Sequence, residues 1–235
     1  MGVALFAMVL IVFFLVQAIA LVNGIAARTP ELADARFSFS WFSDPVFVER
    51  LTELGFNGDL VGMESAWSGG VCTALILLTT WLWKRERQSA FLGLGFPPWR
   101  DLLKWGGLFL LMLVGIELLA RAFPVFQTDF MQKVVGSTTN LPLLVLGVVV
   151  LGPLFEEFLL RGLLYGSVRH IADEHLSVAV TAGVFALMHL QYSLPIMLLI
   201  LPMGVVLGYA RARSGSIWVP VLLHVANNAM SVMWP

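Results

Sequence analysis

The sequence predicts an all-α protein: a polytopic transmembrane helical bundle of about seven spans, with a short amphipathic helix in the first long loop. Three observations carry this. The chain of 235 residues is 59% hydrophobic and only 12% charged, about half the charged share of a soluble domain. The apolar residues come in long blocks, as membrane spans require. Within lipid, runs of this kind satisfy every backbone group only as helices, because each group must bond inside its own segment.

The blocks place spans at 2–22, 67–83, 103–121, 141–166, 177–193, 195–211 and 216–233. The first has no basic residues before it and a longer apolar run than a secretory signal core, so it reads as a retained span. Residues 23–66 are the long polar stretch. Inside it, "SDPVFVERLTELG" predicts a short helix with Asp44 as N-cap, Pro45 at the first helical position and Gly55 as stop. Val48, Leu51 and Leu54 form its expected apolar face. Lys84, Arg85, Arg87, Arg100, Lys104, Arg169, Arg211 and Arg213 fall on alternate connections, which makes that side cytoplasmic. Trp105, Trp218 and Trp234 lie near span ends and read as interfacial anchors.

Two regions follow: N-terminal spans in 1–135, with the polar loop 23–66 and the basic turn, and a four-helix core in 136–235. The net charge of −1 gives no reason to expect a nucleic-acid partner. The single cysteine, Cys72, excludes an internal disulfide and sits in an apolar run as a packing residue.

Charge inside a span costs about 2.5–3.5 kcal/mol per residue at a helix centre, so each such residue calls for a reason. The set is Glu117, Glu156, Glu157, Arg161, His189 and His224, with the amides Asn227 and Asn228. Glu117 reads as interfacial. The others fall in the last four spans. By helical rise, Glu156, His189 and Asn228 lie about 18–20 Å from the cytoplasmic side and His224 about 12 Å, which predicts one shared mid-membrane site with a cytoplasmic water path. Glu157 and Arg161, four residues apart, suit an internal ion pair. Glu156 is rotated away from Glu157 and is left to meet His189, His224 and Asn228. Asn227 reads as a packing amide, and Gly204 and Gly208 as a face for close helix packing.

A carboxylate beside a histidine is equipped to take a proton from water, and a second histidine with an amide to donate to an oxyanion. That combination suits hydrolysis of a peptide bond. There is no HExxH zinc helix, no in-span aspartate pair and no nucleophile-elbow serine; Ser193 beside Pro195 reads as a turn residue. Two other readings use the same residues. Glu156, His189 and His224 form a possible zinc ligand set, so the expectation of no cofactor leaves zinc open. A scaffold, bacteriocin-immunity protein or proton path also places Glu and His inside a membrane.

At these residues "EEFLLR" (156–161) reads as EExxxR, "FALMH" (185–189) as FxxxH and "HVANN" (224–228) as HxxxN. In this order the motifs resemble the CAAX-protease and bacteriocin-processing family of intramembrane glutamate proteases, also called the Abi family, over about residues 140–233. The resemblance implies a helical-bundle endopeptidase acting on a membrane-anchored or lipidated substrate, and the short polar ends and small size suggest a multi-pass protein of a bacterial plasma membrane. It implies that Glu156 and His189 activate water, that His224 and Asn228 form the oxyanion site, and that Glu157 and Arg161 support Glu156.

Overall fold

The structure, a computed structural model, describes residues 1–30, 41 and 43–235; the middle of the polar stretch 23–66 lies outside the described residues. Among those described, all regular elements are helical: α1 (Gly2–Ala26), α2 (Pro45–Leu54), α3 (Gly58–Lys84), the short α4 (Gln88–Leu92), α5 (Trp99–Ala122), α6 (Phe130–Ser137), α7 (Leu141–Val168), α8 (Glu174–Leu187), α9 (Leu194–Ser214) and α10 (Trp218–Met233).

Among the described residues five helices are long and apolar enough to cross a membrane: α1, α3 continued through α4, α5, α7 and α9. Two of the seven expected spans are shorter, α8 with 14 residues and α10 with 16. The expected span 177–193 fails at its end. Helix α8 stops at Leu187, and the His189 N–H turns back to Ala186 O at 3.1 Å. Ser193 is extended and Pro195 lies in the first turn of α9, where its missing N–H leaves no helical bond unmade, so a new helix starts there. His189 therefore sits in a turn beyond the helix. At 1.5 Å per residue α8 spans only about 21 Å, short of the roughly 30 Å hydrocarbon core.

Polar caps set the helix starts. Asp44 accepts from the N–H groups of Val46 and Phe47, Asn57 from Leu60, and Asp173 from Leu176; each such cap contributes about 1 kcal/mol. Helix α2 forms where the sequence places it, but its face differs. Phe47 is fully buried, Leu51 and Leu54 are half-buried, and Val48 is 44% exposed. Trp105 is also not an interfacial anchor: it is buried in a cluster with Ala210 and Val219, whereas Trp234 is exposed.

Helix α7 is the axis of the bundle. Helices α1 and α3, from the N-terminal region, pack directly on it, as does α10. Phe13 of α1 stacks on Phe155 with ring centroids 4.5 Å apart. Helices α3 and α7 touch backbone to backbone, so that a Cβ at Gly147 would collide with Gly62 O. Asp59 fastens the outer end of this contact by accepting from Thr138, Thr139 and Asn140. Gly204 and Gly208 provide the expected close packing, against Ala182 and Val178 of α8.

Candidate active site

Helix α7 changes its winding twice. Val145–Leu151 and Phe158–Leu164 are π-wound, and the α-helical turn Gly152–Glu157 lies between them. π-Winding is rare and concentrates at functional sites. Here part of the cause is legible. The Gly152 N–H bonds Gly147 O, five residues back. The next residue, Pro153, has no N–H, so Val148 O lacks the corresponding partner. Asn228 fills that vacancy from α10: its Nδ2 donates to Val148 O at 2.9 Å. Asn227 Nδ2 in turn donates to Asn228 Oδ1 at 3.2 Å, which fixes the orientation of the Asn228 amide. Asn227 thus does more than pack.

The two glutamates separate as their angular offset requires. Glu157 and Arg161 are fully buried, with Arg161 Nη1 donating to Glu157 Oε1 at 3.0 Å. Arg161 Nη2 donates to Gly204 O at 3.0 Å, the carbonyl of a residue whose lack of a side chain lets α9 approach α8. Arg211 Nε donates to Arg161 O at 3.1 Å and extends the link to α9. The Arg161 guanidinium lies over the Phe185 ring, 4.6 Å from its centroid.

Glu157 also reaches a residue that helix spacing alone does not pair with it. Its Oε1 lies 2.9 Å from His224 Nδ1. The opposite ring nitrogen, Nε2, lies 4.0 Å from Glu156 Oε2. Glu156 is 21% exposed at its side chain, yet its Oε2 is buried with no hydrogen-bond partner among the described residues. An ionised carboxylate only accepts, so the contact with Glu157 assigns a proton to His224 Nδ1 and turns Nε2 toward Glu156.

His189 approaches the same group from the turn after α8. Its Nδ1 is 2.8 Å from Phe185 O. A carbonyl accepts only, so Nδ1 is the donor and Nε2 of the neutral ring is free to accept. No direct hydrogen bond joins His189 to Glu156 or His224 among the described residues. Phe185 stands between the two histidines, with ring centroids 4.8 Å from His189 and 5.4 Å from His224. The structure thus brings Glu156, Glu157, Arg161 and His224 into direct contact, adds His189 across one aromatic ring, and anchors Asn228 one turn beyond His224. Glu117 stands apart, paired with Arg121 at 2.7 Å on the surface. Tyr192 was not singled out by the sequence. Its ring stacks on His189 at 6.3 Å. Burial, and then the negative charge of Glu156, push its phenol up to about 12, so it remains a neutral donor. Its spacing three residues after His189 is the available signal, and it acquires meaning only once the turn is known.

A zinc ion held by Glu156, His189 and His224 would need all three side chains at one point. Among the described residues no three His, Cys, Asp or Glu side chains are grouped as a metal site requires. Glu156 and His224 approach one another, and His189 packs on Phe185.

Residues 138–230 match a family model described as type II CAAX prenyl endopeptidase Rce1-like. The chain is 29% identical over 133 residues to an uncharacterized 24.3 kDa protein of Escherichia coli, covering 54% of this chain and 61% of that protein. It is 23% identical over 107 residues to the putative membrane peptidase YdiL of Bacillus subtilis (strain 168), covering 46% of this chain and 43% of YdiL. The aligned stretches therefore span less than two thirds of either relative. No solved structure matches.

Proposed function

With residues 138–230 matching the Rce1-like family model, we propose that this integral membrane protein is an intramembrane endopeptidase. It hydrolyses a peptide bond of a membrane-associated protein or peptide. Glu156, His189, His224 and Asn228 act at the reacting atoms, with Glu157 and Arg161 holding them. The observation that carries this is the unpartnered, buried Glu156 Oε2 set 4.0 Å from His224 Nε2. A separation of 4.0 Å leaves both groups within hydrogen-bond reach, about 2.8 Å, of one bridging oxygen.

In this reading Glu156 takes a proton from that water as its oxygen bonds to the scissile carbonyl carbon. Electrons of the C=O bond move to the oxygen. His224, protonated at both nitrogens and opposed by Glu157, donates from Nε2 to the resulting oxyanion. The second Asn228 Nδ2 hydrogen, the one not committed to Val148 O, donates beside it. Fixed donors in a site shielded from bulk water stabilise such charge strongly. Glu156 then passes its proton to the amide nitrogen, and the C–N bond breaks. His189 accepts at Nε2 and orients the water. No step draws on a metal. The bacterial relatives support a multi-pass location in a bacterial plasma membrane.

The test is comparative terminal proteomics of cells carrying the wild-type chain or Glu156→Gln, followed by cleavage of the identified peptide by pure protein. A peptide end that disappears with Glu156→Gln, and is regenerated by the pure wild-type chain, supports the reading. Undiminished cleavage by folded Glu156→Gln and His224→Ala protein refutes it and leaves a scaffold or immunity role.

A further inference from the structure

A cleft of about 560 Å³ opens at one end of the bundle, lined by residues that include Gln127, Asp129, Phe130, Gln132, Gln191 and Tyr192. Its volume is in the range of ligand sites. It lies where α5 and α8 end and α7 and α9 begin, opposite the basic turns around Lys84–Arg87, Arg169 and Arg213. Four aromatic rings form a line from it into the reactive group. Phe56 meets Phe130 at 5.8 Å, Phe130 meets Tyr192 at 5.2 Å, and Tyr192 meets His189 at 6.3 Å.

We infer that this cleft is a substrate subsite, holding the extended backbone next to the scissile bond and admitting it from the face opposite the basic turns. The inference rests on the peptidase reading. Gln132 on α6 and Gln191 in the turn before α9 are exposed, and neither side-chain amide has a hydrogen-bond partner among the described residues. Each amide offers both a donor and an acceptor, the pairing that an extended backbone presents. Asp129, the charged residue of the lining, is paired with Lys133 at 2.8 Å. The cleft therefore favours a segment with neutral side chains over an acidic or basic one. Tyr192 closes its inner end, with its ring against His189 and its phenol available as a donor.

The probe is the peptide whose end disappears in Glu156→Gln cells, synthesised with its membrane anchor and placed in phosphatidylglycerol/phosphatidylethanolamine liposomes with the full chain. Gln132→Ala with Gln191→Ala is expected to raise KM roughly tenfold, as loss of two backbone hydrogen bonds would, with kcat within twofold. In a Cys72→Ala background, Gln191→Cys treated with a membrane-impermeant thiol reagent from that face is expected to lose cleavage. Arg213→Cys, on the opposite end, treated from its own side, is expected to keep it. An unchanged KM in the double variant, or block from Arg213→Cys alone, overturns the subsite while the wild-type chain still cleaves. Cleavage that survives Glu156→Gln is a different failure, that of the peptidase reading itself.

Discussion

Glu157 Oε1 lies 2.9 Å from His224 Nδ1 and 3.0 Å from Arg161 Nη1, so one carboxylate oxygen holds both the histidine of α10 and the arginine of α7. The charges are fully desolvated, and removing one partner leaves the other uncompensated. Glu157→Ala is expected to destabilise the protein by about 3–5 kcal/mol, read as loss of the folded fraction in detergent. Joint replacement, Glu157→Leu with Arg161→Met, is expected to recover much of that stability, because a packed apolar pair often substitutes for a buried ion pair. Cleavage is not expected to return, since His224 would still lack its orienting acceptor. Recovery of both together would make Glu157 a structural residue only.

Glu156 differs in kind. Among the described residues it makes no hydrogen bond and its Oε2 is buried without a partner; His224 Nε2 lies 4.0 Å away, so Glu156→Gln removes a long charge contact but no hydrogen bond. The expected result is a small change in the unfolding midpoint with cleavage reduced by roughly 10²–10⁴, the contribution of a positioned general base. A large loss of stability would show that the carboxylate supports the fold.

Much of this contrast is legible in the sequence. Spacing of four predicts the Glu157–Arg161 pair, and the offset between neighbours predicts that Glu156 faces elsewhere. The cost of charge in lipid singles out His189, His224 and Asn228. The contact between Glu157 and His224 is not legible, because it joins residues 67 apart in sequence and depends on how α10 settles against α7. Nor is the position of His189 past the end of α8, which follows from the turn before Pro195 rather than from the apolar block. Phe185 gains its place between the two histidines and over Arg161 in the same way. Helix periodicity reports faces of single helices. It does not report their registers against one another.

Cleavage is also expected to persist in protein stripped with a strong chelator and verified free of zinc by elemental analysis, because His189 stands across Phe185 from the Glu156–His224 pair. Loss of activity that zinc restores would mean that His189 swings past Phe185 to complete a ligand set, and would replace the proposed water activation.

The hydrogen bond from Asn228 Nδ2 to Val148 O, 2.9 Å long, makes a prediction about α7 that is separable from catalysis. Pro153 deprives Val148 O of its donor within the helix, and Asn228 supplies one from outside. Asn228→Ala leaves a carbonyl unpaired inside the bundle and is expected to cost about 1–3 kcal/mol. Pro153→Ala restores an N–H at the position that reaches Val148 O in the π-wound turn. In that background Asn228→Ala is expected to cost less, with a coupling of about 0.5–3 kcal/mol between the two sites. Denaturant unfolding of the wild-type chain, both single variants and the double variant measures this. Equal costs in both backgrounds would mean that the amide stabilises α10 by some contact other than the Val148 carbonyl. A coupling in stability, with cleavage lost in both Asn228→Ala proteins, would separate the two hydrogens of one amide: one closing a gap in α7, the other left for the substrate.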